Sequence, residues 1–277
     1  MHYRQYVSKY LSIKTHLNQS SPVIESKNLS MNWGKFNVLN KLNFLLESGE
    51  KIAIVGPSGS GKSTILKILA GLILPSEGEL SIFGKRQNYL RLDQHDPPDV
   101  RLVFQNPALL GSLTIEENVG FILERNKKVS KEAIKVLVNE CLESVGLFNI
   151  SQKLPSELSG GMQKRVSFAR ALISEPKDNE KNQPLLLFDE PTAGLDPIAS
   201  SRIEDLINQT NDKVQGSSIV VSHVLSTIER TSTRVLMLYD GKFRWEGSIS
   251  DFKTTKDPYV FQFRNGNLNG PMQPKDF

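Results

Sequence analysis

The stretch Ile52-Ala53-Ile54-Val55-Gly56-Pro57-Ser58-Gly59-Ser60-Gly61-Lys62-Ser63-Thr64 decides how this chain is read. A short apolar run enters a glycine-rich turn, and apolar residues then recur at Ile65, Leu66, Ile68 and Leu69, a helical spacing. Strand, turn and helix in that order make G-x-x-x-x-G-K-S a phosphate-binding loop. A phosphate chain carries several negative charges and many acceptor oxygens, so it requires convergent donors. Backbone N–H groups of the turn supply them, with glycine wherever a Cβ would block the phosphate or φ must be positive. The helix opening near Lys62 adds the positive end of its dipole. Lys62 brings a cation to the β- and γ-phosphates, and Ser63 offers a hydroxyl to Mg²⁺.

The chain of 277 residues is long enough for one large α/β domain or two small ones. Hydrophobic residues make up 38% and charged residues 23%, a globular composition. No run approaches the roughly 18 uninterrupted apolar residues of a membrane span. The net charge is +4, yet Arg4, Lys9 and Lys14 fall in a stretch with no acid before Glu25. The surplus is therefore partly a property of that stretch, which speaks against a nucleic-acid partner. Residues 1–22 lack the apolar core of a secretory signal and echo an organelle transit peptide only weakly. They read as a basic, flexible or docking extension. Cys141 has no second cysteine to pair with, which fits a reducing compartment. In phase with Ile134, Leu137 and Val138, it reads as a small buried hydrophobe.

Strands are expected at Val23–Leu29 and Val38–Leu46, an antiparallel β portion preceding the phosphate loop. Trp33 falls in the polar turn between them, either packing on the strands or offering a flat platform to adenine. Pro75 to Gly78 reads as a turn, Glu79–Gly84 as a short strand, 85–99 as a surface loop and Val100–Phe104 as a strand ending at Gln105. The period then turns helical. Thr114 and Glu117 form a capping-box pattern before a short helix, and Lys131–Val145 reads as a longer one. Together with the basic helix Gln163–Ile173 they predict an all-helical insertion over about residues 106–174. Leu185-Leu186-Leu187-Phe188 is apolar on both faces and suits the middle of a parallel sheet. A helix from about Pro197 to Gln209 and strands at Ser218–His223 and Arg234–Tyr239 complete the alternation. The expected fold class is α/β, a P-loop core with a mainly parallel sheet, within one domain over 23–256. Residues 257–277 form a tail whose Tyr259, Phe261 and Phe263 are expected to cover apolar surface, on their own domain or, preferably, on a second copy.

Asp189 and Glu190 end the apolar strand, where ligands collect in open α/β sheets. Adjacent carboxylates there are costly unless a cation or a reaction uses them. In a P-loop enzyme Asp189 reaches the Mg²⁺ shell and Glu190 polarises the water attacking the γ-phosphate.

These motifs in this order resemble the ATP-binding-cassette (ABC) ATPases over about residues 23–250. Walker A is Gly56–Ser63 and Walker B ends at Asp189-Glu190. The signature loop is Leu158-Ser159-Gly160-Gly161-Met162, Gln105 matches the Q-loop, Ala193-Gly194-Leu195-Asp196 the D-loop, and His223 the switch histidine. The resemblance implies two copies sandwiching two ATP molecules. In each site Trp33, Gly56, Pro57, Ser58, Gly59, Ser60, Gly61, Lys62, Ser63 and Thr64 of one copy face Ser159, Gly160, Gly161 and Asp196 of the other. Glu190, His223 and Gln105 are then the catalytic group, and Ser63, Gln105 and Asp189 hold Mg²⁺. Ser159-Gly160-Gly161 agrees physically, since a hydroxyl and backbone N–H groups at a helix start form an anion site.

Met162, where most of the family carries Gln, and the aromatic tail resemble the ATPases of phospholipid transporters. Those include the bacterial lipid-asymmetry systems and the plastid lipid importer. The resemblance implies an integral-membrane permease and a mammalian-cell-entry (MCE) domain protein as partners. It also implies a peripheral location at the cytoplasmic face of an inner membrane, or in the plastid stroma at the inner envelope. Transport of another substrate is the alternative. A soluble ABC protein of translation or repair usually has two cassettes or a long coiled coil, and neither is present. A non-catalytic binding module is opposed by intact Lys62, Asp189, Glu190 and His223.

Overall fold

The computed structural model describes residues 21–124, 129–173 and 183–273. The amino-terminal extension before residue 21 and most of the polar loop over 174–183 lie outside them. Strands β1 (Ile24–Trp33), β2 (Phe36–Leu46), β4 (Glu77–Ile82) and β5 (Lys85–Arg86) form an antiparallel sheet in the order β2-β1-β4-β5. The second sheet runs β10 (Lys242–Ser248), β9 (Arg234–Tyr239), β3 (Lys51–Val55), β8 (Ser217–Val221), β7 (Leu185–Asp189), β6 (Val100–Val103). Its interior pairs are parallel, and only β10, on the edge, is antiparallel.

Residue alternation in this sheet shows why its strands are apolar throughout. Ile52 and Ile54 of β3, Leu185 and Leu187 of β7, and Leu236 and Leu238 of β9 point into one core. That core is closed by the antiparallel sheet and by α1 (Lys62–Leu69). Leu186, Phe188 and Val220 point the other way, onto Phe168 of α4 (Gly160–Leu172) and Ile203 and Ile207 of α5 (Pro197–Val214). Ala53, Val55, Val235 and Met237 meet a third cluster under α6 (Leu225–Thr231), α7 (Ile249–Thr254) and α8 (Pro258–Asn265). A strand with period-2 geometry and covers on both faces must be hydrophobic at every position.

The helical insertion comprises α2 (Ile115–Glu124), α3 (Lys131–Ser144) and α4. The capping box forms as expected: Glu117 accepts from the Thr114 N–H at 2.7 Å, and Thr114 Oγ1 accepts from the Glu117 N–H at 3.2 Å. Helix α4 starts earlier than the basic run suggested, because Ser159 caps it by accepting from the Met162 N–H. Cys141 is half-buried, and burial raises its thiol pKa.

Three local expectations shift. Trp33 is the last residue of β1, paired with Phe36 across a tight hairpin, so it belongs to a strand end and not to a polar turn. Glu77 and Gly78 belong to β4; Gly78, at φ 89°, lies so close to the Asn28 carbonyl that a Cβ would sit 2.3 Å from it. The tail is helical. Val260 and Met272 are buried beside Phe252, with Tyr259 and Phe263 packed around them, while Phe261 and Leu268 stay exposed. Buried Gln262 holds the returning chain by accepting from Met272 N–H and donating to Met272 O, both at 2.7 Å. Tyr259 and Phe263 thus cover their own domain and Phe261 does not, because a helix turns residues four apart onto one face.

Removing residues 257–277 should therefore lower the melting temperature of the chain by roughly 5–10 °C, the effect of losing a few kcal/mol of apolar burial. Unchanged melting would show that the tail is not part of this core.

Candidate functional site

The phosphate loop joins β3 to α1. Gly61 caps the helix at φ 102°, and no side chain occupies the helix start, so its first backbone N–H groups are left to a ligand. A Cβ on Gly61 would meet Leu39 Cδ2 at 2.7 Å and the Val38 carbonyl at 3.1 Å. The second strand of the Trp33 hairpin therefore lies against the loop, and Trp33, 52% exposed, stands at the hairpin end. Lys62 is buried and donates from Nζ to the Gly56 and Pro57 carbonyls, each at 2.8 Å. Burial pushes its ammonium below the ordinary lysine range, with Glu190 and Asp189 opposing the shift. Buried Ser60 Oγ has no hydrogen-bond partner among the described residues, as fits a loop built to meet an anion.

Asp189 and Glu190 sit at the carboxyl end of β7, two strands from β3, with β8 between them. The Ser63 hydroxyl donates to Asp189 Oδ1 at 3.2 Å, closing the gap between the two motifs. Burial raises the Asp189 carboxyl above the usual range; the Ser63 hydrogen bond and Lys62 pull it back, while Glu190 adds to the rise. Glu190 is buried and lies at φ 46°, in the left-handed region, directly before Pro191. A non-glycine residue there costs about 1–3 kcal/mol and is held by its surroundings. The Glu190 N–H donates to the Val221 carbonyl at 2.9 Å, and the Ala193 N–H donates to the Glu190 carbonyl at 3.1 Å. His223 Nδ1 lies 2.9 Å from Glu190 Oε1, and its side chain is otherwise well exposed. Carboxylate and imidazole therefore meet at the sheet rim.

Among the described residues no group of three or more His, Cys, Asp or Glu could hold a metal ion unaided. Ser63 and Asp189 instead fit an ion that arrives with a triphosphate, as Mg²⁺ does, completing its shell from phosphate oxygens and water. Thr64 follows Ser63 in the first turn of α1. Gln105 is exposed just past β6, the strand beside β7, and joins none of the contacts above.

The signature residues are elsewhere. Ser159 and Gly161 border a depression whose other wall includes Leu195, Asp196 and Arg202. Asp196 caps α5, accepting from the Ile198 and Ala199 N–H groups at 2.9 and 3.0 Å, and these bonds lower its pKa. Gly160 and Gly161 begin α4, with open space where their Cβ atoms would stand.

Two cationic side chains that the motifs did not single out tie the signature helix to the rest. Lys164 Nζ donates to the Pro191 carbonyl at 3.2 Å and to the Ala193 carbonyl at 2.5 Å, bridging α4 to the loop after Glu190. Arg170 donates to the Pro107 and Ala108 carbonyls at 2.7 and 2.8 Å, holding the segment that follows Gln105. In the sequence both fall in the basic run that follows the signature loop, and solvated lysines and arginines would give the same pattern.

A family model described as ABC transporter matches residues 39–193. The chloroplast protein TRIGALACTOSYLDIACYLGLYCEROL 3 of Arabidopsis thaliana is 44% identical over 266 residues, 92% of this chain and 77% of that protein. The intermembrane phospholipid transport system ATP-binding protein MlaF of Haemophilus influenzae is 34% identical, covering 94% of this chain and 96% of that one. Among solved structures, the dimeric post-hydrolysis state of the ATP-binding cassette MJ0796 bound to ADP and phosphate is similar with a TM-score of 0.70. It is 31% identical and covers 82% of this chain and 98% of its own. Motif order, the doubly covered sheet and these relatives converge, and the chain belongs to the ABC transporter family as one of its ATP-hydrolysing cassettes.

Proposed function

We propose that this cassette energises phospholipid transport, as two copies beneath an integral-membrane permease, with an MCE-domain protein as a further partner. The observation that carries the catalytic part is the meeting of Lys62, Ser63, Asp189, Glu190 and His223 at one rim of the parallel sheet. The lipid part is supported by the likeness to the chloroplast protein, 44% identical, and to the phospholipid-transport cassette, 34% identical. The first of these favours the plastid stroma at the inner envelope over a bacterial inner membrane.

Lys62 and the loop N–H groups hold the β- and γ-phosphates, and Trp33 stacks on adenine. Bound Mg²⁺, held by Ser63, Asp189 and Gln105, would neutralise charge developing on the phosphoryl oxygens. Glu190 accepts a hydrogen bond from the attacking water and orients it, while His223 contacts the γ-phosphate side. The left-handed backbone of Glu190 and its contact with His223 restrict the carboxylate, which supports this orienting role. Ser159 and Gly161 line a separate depression with Asp196, and Gly160 lies between them at the start of α4, which supports their service to the nucleotide of a second copy. The dimeric cassette among the structural relatives supports the same arrangement.

Glu190→Gln preserves shape and removes the carboxylate, so turnover should fall at least about a hundredfold while ATP still binds and closed dimer accumulates. Lys62→Ala should weaken ATP binding itself. Wild-type hydrolysis by Glu190→Gln would sink the assignment. Trp33→Ala should raise the ATP dissociation constant about tenfold, the effect of losing about 1.4 kcal/mol of stacking, and Trp33→Tyr should be nearly silent. Equilibrium titration with a fluorescent ATP analogue reads both, and binding unaltered by Trp33→Ala returns that residue to a packing role. For the lipid reading, phospholipid should stimulate the ATPase of the permease complex in vesicles; stimulation by another solute alone would redirect it.

A further inference from the structure

Helix α5 carries a carboxylate where packing would ordinarily demand an apolar side chain. Glu204 is 1% exposed, one residue after Ile203 in the core. Burying an ionised carboxylate is expensive unless it is fully satisfied. Its Oε1 accepts from the Thr227 hydroxyl at 2.8 Å and the Ser226 hydroxyl at 3.0 Å, and its Oε2 lies 3.2 Å from Arg230 Nη1. All three partners belong to α6, the helix that begins two residues after His223.

The chain of contacts does not stop there. Thr227, itself fully buried, shares a hydroxyl–hydroxyl hydrogen bond of 2.8 Å with Thr192, which is also buried. A hydroxyl has one proton, and an ionised carboxylate only accepts. Thr227 must therefore give its proton to Glu204, and Thr192 must donate to Thr227. The direction of each bond is fixed by Glu204. Thr192 lies two residues after Glu190, and Thr227 four after His223, so the relay ties the two backbone segments that bring Glu190 and His223 together. The phosphate loop takes no part in it.

We propose that Glu204, Thr227 and Thr192 form a buried relay that sets the contact between His223 and Glu190, making all three positioning residues for hydrolysis. This rests on the roles of Glu190 and His223 given above. A relay that aligns the hydrolytic pair acts on turnover and leaves nucleotide affinity alone, since a misplacement of about 1 Å can cost up to a hundredfold in rate.

The test measures steady-state ATPase and ATP binding on the full-length chain for Thr227→Val, Thr227→Ser, Thr192→Val, Glu204→Gln and His223→Ala. Thr227→Val keeps the volume and deletes both hydrogen bonds. It should lower kcat between about tenfold and a hundredfold with KM and ATP affinity unchanged. Thr227→Ser should restore most of the rate, Thr192→Val should lose a smaller part, and Glu204→Gln, which retains the acceptor Oε1, should fall between. In a His223→Ala background Thr227→Val should add no further loss, which a general loss of packing would not reproduce. Wild-type kcat for Thr227→Val, no recovery with Thr227→Ser, or an equal loss in the His223→Ala background would each overturn the relay while leaving the site reading intact. Undiminished turnover of His223→Ala would overturn the roles of the hydrolytic pair and the relay with them.

Discussion

Charge held at the rim of an apolar sheet is the constraint on which this molecule depends. Lys62 and Asp189 are both displaced from their ordinary titration ranges by burial, in opposite directions, and each is partly restored by the other. Such groups cannot be placed by a loose loop, because an unpaired buried charge costs several kcal/mol. Asp189 ends β7 and Lys62 opens α1 one loop beyond β3, and the inner residues of both strands alternate between closed apolar cores. The rigidity of that sheet is what lets Ser63 meet Asp189 at hydrogen-bond distance across an intervening strand.

The helical insertion is joined to this rim by identifiable parts. Phe168 of α4 stacks on Phe188, the residue before Asp189, with ring centroids 5.4 Å apart. Lys164 holds the carbonyls after Glu190, and Arg170 holds the segment after Gln105. Movement of α4 would thus be felt both at the carboxyl end of β7 and at the edge strand β6. A cassette that converts hydrolysis into motion of a partner requires such a mechanical connection, and these contacts supply one within a single chain.

The turn after β7 is under tension that the surrounding structure absorbs. Glu190 occupies a left-handed conformation that only its neighbours make tolerable, with backbone bonds to Val221 and Ala193 and the side-chain contact to His223. Pro191 narrows the choices of the residue before it. Backbone and imidazole together therefore restrict where the Glu190 carboxylate can stand.

From the sequence alone, the local chemistry was legible. The glycine and lysine spacing of Gly56–Ser63, the apolar run ending in Asp189-Glu190, the Thr114–Glu117 box and the two-sided hydrophobic strands follow from rules acting over a few residues. The alternation of strands and helices then left little choice of architecture, and the α/β fold with its antiparallel portion and helical insertion is what formed. Tertiary structure alone decided the rest. The strand β10 was hidden because an exposed edge strand lacks a full apolar period. The tail's aromatics could serve either their own domain or a second copy until α8 set Tyr259 and Phe263 on the domain's own core. Glu204, Thr227 and Thr192 carry no motif, and their meeting depends on how α5 and α6 cross at a distance no local rule reaches.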